Sequence, residues 1–557
     1  NLDNLNNNIN FLKGIFLPKP TVSGNNTILG KMPDWNPAEL IGAHPRPLSS
    51  SLFNKIITKD VWRNARGKIG YYNPKHEELL VLVSGQPFID VRNSLNTFTP
   101  INISPELRKK IVDESLEFLK SNPHFHDKLE FYVATTCYTP YFTNRINRWK
   151  EVGLLDYEIE SLKNIYMNHT KALVQEKFYT CNELVAEVEE LDKRREKILS
   201  DNNLGYLSKV KLLIDNCSEI GTLNFSILAR YAFVGNTFFK SFVDQEIIEI
   251  KSYNSFLNGI ETVATDLIRE IDNSRRDKDS FEYFLKRFGH LRPGTFNINS
   301  LRYDEAPDLY FESNNYNRSA DLHINDFCFS DEEKFRIKGI LSSIDIDIGV
   351  EELIKFTKDS IRGREYSKFV FSRSVSDALK LITKWSYSNN ISREDISFVD
   401  YDLLVKKFDN SLFRLEAIND EIVSKKTKYK NDFQMVLPDL IYGPDDLISF
   451  EVPTNKPNFV TSKTVTGNVI KISSDIKKVN LDDKIVSIES ADPGYDWIFT
   501  HKIKGLITKY GGAASHMTIR CAEFDIPAAI GCGNIFSDFA SGDKIILDCS
   551  NKILRRL

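Results

Sequence analysis

A histidine at the start of a helix, just behind a pair of glycines, is the residue in this sequence best suited to carry a phosphoryl group. The run is Gly511-Gly512-Ala513-Ala514-Ser515-His516. Residues Gly505 to Thr508 read as a strand and HMTIRCAEF, from His516, reads as a helix, so the histidine falls in the first helical turn. Ser515 then occupies the cap position, where its hydroxyl accepts from N–H groups that a helix start leaves unpaired. Those donors and the positive end of the helix dipole stabilise negative charge on a phosphorylated ring. The same field disfavours imidazolium, which predicts a ring that stays neutral and nucleophilic near pH 7. Gly511 and Gly512 let backbone approach the phosphoryl group closely. Thr518 joins Gly511, Gly512 and Ser515 as support for the loop, with His516 as the catalytic residue. Taken alone, G-G-x-x-S-H is also the pattern of a capped surface histidine.

The elements around this loop form two textures. HMTIRCAEF is a single strong helix among short β-like runs: TVTGNVIKI, KIVSIES, KGLITKY, AAIGC and DKIILDC. Strands with one or two helices predict a compact α/β unit. Upstream the pattern is helical. Ser104 before Pro105 caps a helix whose Leu107, Ile111, Leu116 and Leu119 share one face. The charged, periodic stretch from Asp156 to Leu213 predicts two antiparallel helices. The expected fold class is therefore multidomain, a large mostly α-helical domain followed by a compact α/β domain. The helical domain is expected over 35–440, a turn-rich hinge over 441–460 and the α/β domain over 461–557. The Asn-rich segment 1–34 starts at Asn1 rather than a methionine and reads as a linker from a preceding domain.

Composition excludes several classes. Lys plus Arg number 73 against 77 Asp plus Glu, a net charge of −4, so no basic excess is available to offset nucleic-acid phosphates. There is no long apolar run of the membrane-spanning kind and no signal peptide at the start, which predicts a cytoplasmic protein with no membrane partner. Seven cysteines without a C-x-x-C pair read as buried reduced thiols rather than a disulfide scaffold or zinc site. His124-x-His126 has only Asp127 beside it, too few ligands to predict a metal in this chain. No G-x-x-x-x-G-K-[ST] loop is present for a nucleotide.

The wider histidine segment resembles the mobile phosphohistidine domain shared by pyruvate phosphate dikinase, phosphoenolpyruvate synthase and rifampicin phosphotransferase. The resemblance rests on Asp492-Pro493-Gly494, Phe499, the Gly505–Gly512 run, Glu523, Ile526-Pro527-Ala528, Gly531 and SGDKIILD (Ser541 to Asp548). It implies that His516 is the phosphorylated residue. Met517 and Thr518 after the histidine, and Ala522 with Arg520 near Glu523, depart from the family pattern and put docking details in doubt. The order of domains is similar to rifampicin phosphotransferase, in which a nucleotide-binding front and a helical acceptor domain precede the histidine domain. Asn36–Arg66, Gly85–Pro100, Phe288–Glu305, Gly363–Arg373 and Arg393–Val399 resemble that middle unit, with Thr295 where a Glu is common.

What the resemblance implies is ATP and Mg²⁺ bound mainly by an ATP-grasp domain ahead of Asn1, with His516 collecting the β-phosphoryl group and handing it to a small acceptor. The opening NPAELIGAHPRPLSSSL and the layout are most similar to the L-glutamine kinases of capsular phosphoramidate biosynthesis. L-glutamine is accordingly the expected acceptor, with glutamine phosphate, AMP and phosphate as products. An antibiotic or other hydroxyl phosphotransferase is one alternative. A non-catalytic helical interaction protein with a degenerate carrier domain is another. Arg92, Arg292 and Arg364 lie in matched segments, and a guanidinium fork holds a carboxylate or phosphoryl group. His290 or Glu365 would take a proton from the acceptor. Each of these five is equally at home in a structural ion pair or helix contact.

Overall fold

The computed structural model of the protein describes residues 2–274, 277–311, 327–344, 346–408, 410–449, 457–472, 480–512 and 515–557. Its principal helices are α1 (Leu2–Ile15), α2 (Pro105–Ser121), α3 (Asp156–Val174), α4 (Cys181–Ser200), α5 (Tyr206–Asn216), α6 (Leu223–Asp244), α7 (Val350–Ser388) and α8 (His516–Glu523). The body up to about residue 440 is mostly helical, and a sheet domain follows it, so the chain has the expected multidomain class.

Helix α7, 39 residues long, is the spine of the helical body and packs along α4, α5 and α6. Large buried residues such as Phe356, Val370, Phe371, Val375 and Leu379 alternate on it with Ser360, Gly363, Ser367 and Ser374. The small residues let neighbouring helices approach. A Cβ on Gly363 would lie 2.9 Å from a Leu228 methyl of α6 and 3.3 Å from Val185 of α4. Gly221 does the same from the other side, with Phe371 Cβ 2.8 Å from where its own Cβ would be.

Ser104 caps α2 as expected, accepting from Leu107 N at 3.3 Å. The stretch expected as two antiparallel helices holds three, α3, α4 and α5. Glu176 takes a left-handed φ of 52° after α3. Thr180 and Glu183 then exchange capping bonds of 2.8 and 3.2 Å that start α4. Gly205 restarts the chain into α5. Local caps thus divide a periodicity that reads as continuous.

Strands β1 (Leu29–Gly30), β2 (Leu80–Val83), β3 (Gln86–Asp90) and β4 (Leu440–Ile441) form an antiparallel sheet in the order β2-β3-β1-β4. It joins both ends of the helical body. The segment 1–34, expected as a linker, supplies α1 and β1 to this sheet region. Leu12 and Leu29 are fully buried against Val83, Phe88 and Ile441. The apolar positions Leu12, Ile15 and Phe16 are enough to dock a helix whose polar face is rich in asparagine.

The sheet domain has seven strands: β5 (Asn458–Val460), β6 (Thr464–Ile472), β7 (Lys484–Ile488), β8 (Gly505–Thr508), β9 (Ala528–Ile530), β10 (Lys544–Asp548) and β11 (Ile553–Arg556). Their order is β11-β10-β6-β7-β8-β9-β5, with the central four parallel and the outer pairs antiparallel. β5 lies inside the stretch expected as hinge, paired to β9; hinge residues 450–456 lie outside the described residues. Ile485 and Ile507 face one side of the sheet. Val486 and Leu506 face the other, where Met517 and Cys521 of α8 pack. That packing fixes His516, the first residue of α8, at the sheet's carboxyl edge.

Among the described residues, no helix is long and apolar enough to cross a membrane. Six cysteines are buried and Cys328 is exposed. The close α6–α7 crossing yields a test. Gly363→Val should destabilise the fold by about 1–3 kcal/mol, as overpacking does, measured by denaturant melts. An unchanged midpoint would mean that the two helices are not in contact at this position.

Candidate functional site

Ser515 is the N-cap of α8, in extended conformation, and its Oγ accepts from Thr518 N at 3.3 Å. Thr518 Oγ1 lies 2.9 Å from Ser515 Oγ and donates to Gly512 O at 2.8 Å. The loop before the helix is thereby tied to the helix's first turn. Gly511 has a φ of +143°, and a Cβ there would sit 2.8 Å from Ile530 Cγ2 and 2.9 Å from Ala491 Cβ. The position therefore excludes any side chain. All five loop residues singled out from sequence are in one place.

The ring of His516 is 9% exposed and lies between two carboxylates. Nε2 is 2.7 Å from Asp496 Oδ1, within its own domain, and Nδ1 is 3.8 Å from Glu365 Oε2 on α7 of the helical body. Asp496 also accepts from Arg520 Nη2 at 3.3 Å, and Arg520 Nη1 donates to Glu523 at 2.6 Å. Arg364 donates to Glu365 Oε1 through Nε (3.0 Å) and Nη2 (2.7 Å).

The position at a helix start predicts a neutral ring, but the docked structure reverses this. Burial disfavours the charged ring, yet Asp496 and then Glu365 outweigh it, and the pKa of His516 lies above its ordinary value. Burial likewise opposes the charge on Asp496, but His516 and Arg520 draw its pKa below the usual carboxylate value. Glu365 is held well below that range; burial is overcome there by Arg364 and His516. An opposite charge within a few ångströms is the stronger influence here than the field of one short helix.

His516 looks into a cavity of about 150 Å³ in the helical body. Carboxylates from Asp34, Glu39, Glu130 and Glu365 line it, with Arg66, Arg230, Arg364 and Lys368 opposite them and Trp35, Phe225, Phe233 and Phe371 as apolar wall. Asp34 takes two bonds from Arg66, of 2.5 and 2.9 Å. Glu130 pairs with Arg230 and lies 3.7 Å from Arg66. Lys368, one turn beyond Arg364 on α7, makes no ion pair within 4 Å among the described residues. Glu39 is buried, and burial pushes its pKa up to about 7, against the pull of Lys368 and Asn36.

The two domains meet at the residues around Asp492. Gly294 N and Thr295 N donate to its carboxylate at 3.2 and 3.4 Å, and Thr295 Oγ1 does so at 3.4 Å. Tyr303 Oη donates to Gly494 O at 2.9 Å. Tyr303 and Tyr310 of the helical body share an apolar cluster with Trp497, Ile498 and Met517. Thr295 is thus part of the docking contact.

Arg364 and Glu365 reach the site. The other three residues expected to bind acceptor do not line the cavity. His290 is one side chain behind its wall, 3.3 Å from Ser372 Oγ, and burial with Arg373 and Arg302 nearby keeps its pKa well below the ordinary value. Arg292 is buried and donates to Ser300 O and Ser376 Oγ, both at 3.2 Å, bracing the loop that carries Gly294 and Thr295. Arg92 is fully buried elsewhere and donates at 3.0 Å to Ile15 O and Leu17 O, closing the end of α1. Its carbonyl partners come from the segment expected as linker, which is why its structural use is not visible from sequence. Lys368 and Arg520 carried a signal that sequence reading missed, each four residues from a singled-out partner on the same helix. Asp496 and Glu39 carried none beyond lying in the quoted segments. Among the described residues, no group of three or more His, Cys, Asp or Glu is placed to hold a metal ion.

With this geometry in view, comparisons with known proteins bear first on the histidine segment. Residues 481–552 match the family model of the PEP-utilising enzyme, mobile domain. The match lies in the sheet domain that carries His516. It is 22% identical over 312 residues to a rifampicin phosphotransferase of Bacillus cereus, covering 50% of this chain and 34% of that one. It is also 22% identical over 313 residues to a rifampicin phosphotransferase of Bacillus subtilis, again covering 50% and 34%. The matched region thus spans about a third of the length of these relatives. A solution structure of Enzyme I is 15% identical and covers 57% of this chain and 79% of that chain, with a TM-score of 0.15.

The environment of Glu39 gives a pH test. Its folded-state pKa of about 7 stands above the ordinary 4.5, so the folded chain binds this proton more tightly than the unfolded one. Stability falls as pH rises from about 4.5 to about 7, and the full cost persists above that window. Glu39→Gln should therefore raise the melting temperature little at pH 5 and most at pH 8, by up to about 3 kcal/mol of stability. An equal gain at both pH values would contradict a buried ionising group.

Proposed function

We propose that this chain is the carrier-and-acceptor portion of a phosphotransferase, in which His516 takes a phosphoryl group and passes it to a small acceptor held in the helical body. The observation that carries this reading is the position of His516. It sits in the wall of a charged cavity, beside Arg364 and Lys368. Two cations on one helical face would hold the three phosphoryl oxygens as the group leaves the ring. ATP with Mg²⁺ is the proposed source, bound by an ATP-grasp domain outside this chain.

For the acceptor we favour L-glutamine, phosphorylated on its side-chain amide. Cavities of about 150 and 220 Å³ both border His516, Arg364 and Glu365, and each alone is below the roughly 300–1,000 Å³ of drug-sized sites. Their walls offer both charge signs, which suits a zwitterion. A hydroxyl acceptor with an apolar body is the second reading. It is favoured by the ring wall of Trp35, Phe225, Phe233 and Phe371 and by relatives named rifampicin phosphotransferase.

The carrier step is tested on the chain with phosphoramidate, a small donor that phosphorylates imidazole with loss of ammonia. Phosphorus NMR should show a phosphohistidine signal that is absent in His516→Asn. Added L-glutamine should discharge it into a new phosphorus–nitrogen species. Lys368→Met should load normally and transfer on the order of 100-fold more slowly, as loss of one charge-stabilising donor does. No His516-dependent signal would overturn the carrier reading. Loading without discharge to L-glutamine would remove glutamine as acceptor and favour the hydroxyl reading.

A further inference from the structure

Transfer of a phosphoryl group to an acceptor N–H or O–H leaves a proton that must be taken up. Four carboxylates line the cavity with His516, and three of them are committed to guanidinium groups. Asp34 carries two bonds from Arg66 and a third, of 2.6 Å, from Ser94 Oγ. Glu130 is paired with Arg230. Glu365 holds Arg364 on one oxygen and faces His516 with the other. The oxygens of these three are engaged by guanidinium groups, although at Glu130 burial outweighs Arg230 and raises the pKa above its ordinary value.

Glu39 differs. Among the described residues its side chain has one hydrogen bond, from Asn36 Nδ2 at 3.3 Å, and no ion pair within 4 Å. It stands on the short helix Pro37–Leu40, next to Lys31, whose carbonyl accepts from Ala38 N at 3.3 Å. The residue is 6% exposed and lines the cavity beside His516. We propose that Glu39 is the catalytic proton acceptor for the nucleophile of the bound acceptor. The inference rests on the carrier reading given above and adds to it the residue that makes the acceptor reactive.

The step balances as follows in atoms and electrons. The bond from phosphorus to the His516 ring nitrogen breaks as the bond from phosphorus to the acceptor atom forms. The bonding pair returns to the ring, which leaves as neutral imidazole because its other nitrogen keeps a proton beside a carboxylate, and the freed nitrogen then takes a proton from water between Asp496 and Glu365. The acceptor's proton passes to the ionised Glu39 and from there to water. Burial sets the affinity of Glu39 for this proton in the neutral range, which is where a general base works best. Charges facing it from packed elements are Lys368 of α7, and Asp492 and His516 of the carrier domain.

The test uses chain loaded with phosphoramidate, then mixed with L-glutamine, following phosphohistidine loss by phosphorus NMR from pH 5.5 to 8.5. The wild-type discharge rate should rise with pH through a midpoint near 7. Glu39→Gln should load His516 as the wild type does, transfer on the order of 100-fold more slowly, and lose that pH limb. Glu39→Asp should be slower yet keep the limb, which a purely structural role would not produce. Discharge by Glu39→Gln within threefold of the wild type would overturn the proposal while leaving the carrier reading intact. Failure of the wild type itself to discharge to L-glutamine would overturn both the glutamine reading and this use of Glu39.

Discussion

The placement of the His516 ring between Asp496 and Glu365 is the constraint on which the rest of the structure depends. One carboxylate belongs to the sheet domain and the other to the helical body, so the ring is also a contact between domains. Burying a cation is costly unless it is paired and hydrogen-bonded. Here the two carboxylates meet that need, and Arg520 and Arg364 balance their remaining charge. The arrangement favours a protonated, unphosphorylated ring. A phosphorylated ring carries negative charge and favours Arg364 and Lys368 instead. On the proposed carrier reading, the same pocket presents different partners to the two states of the ring.

The helical body supplies what this exchange needs. Helix α7 brings Arg364, Glu365 and Lys368 to one face, and its small residues let α6 and α4 close around them. The Asp492 carboxylate, capped by the backbone of Gly294 and Thr295, joins the domains without another ion pair. Tyr303 and Tyr310 add an apolar seam beside it. Arg292, His290 and Arg92 serve the framework, each bonded to backbone or hydroxyl groups rather than lining the cavity, with Arg92 Nε and Arg292 Nε left without a partner among the described residues.

Local chemistry was legible in the sequence, and long-range pairing was not. The cap at Ser515, the glycine turn, the central strands and the Ser104 helix start are set by residues a few positions apart, and each stands as read. The protonation of His516 was not legible. It depends on Glu365, some 150 residues away by numbering, and on the fold of the Asp492–Thr500 turn. Glu39 had no role in the sequence reading; only packing shows that, among the described residues, it makes no ion pair within 4 Å while Asp34, Glu130 and Glu365 do. The segment 1–34 read as linker because asparagines conceal the few apolar side chains that dock α1.

The central claim is that the docked arrangement is the delivery state of the carrier. It is tested most directly by locking it. Asp127 Oδ2 accepts from Asn458 Nδ2 at 3.1 Å across the domain contact, so cysteines at both positions, joined on oxidation through a short dithiol, hold the domains together. Protein loaded at His516 before oxidation should, once locked, still discharge its phosphoryl group to an acceptor at close to the unlocked rate, yet fail to reload. A locked protein that keeps its phosphohistidine but releases it normally on reduction would contradict the account.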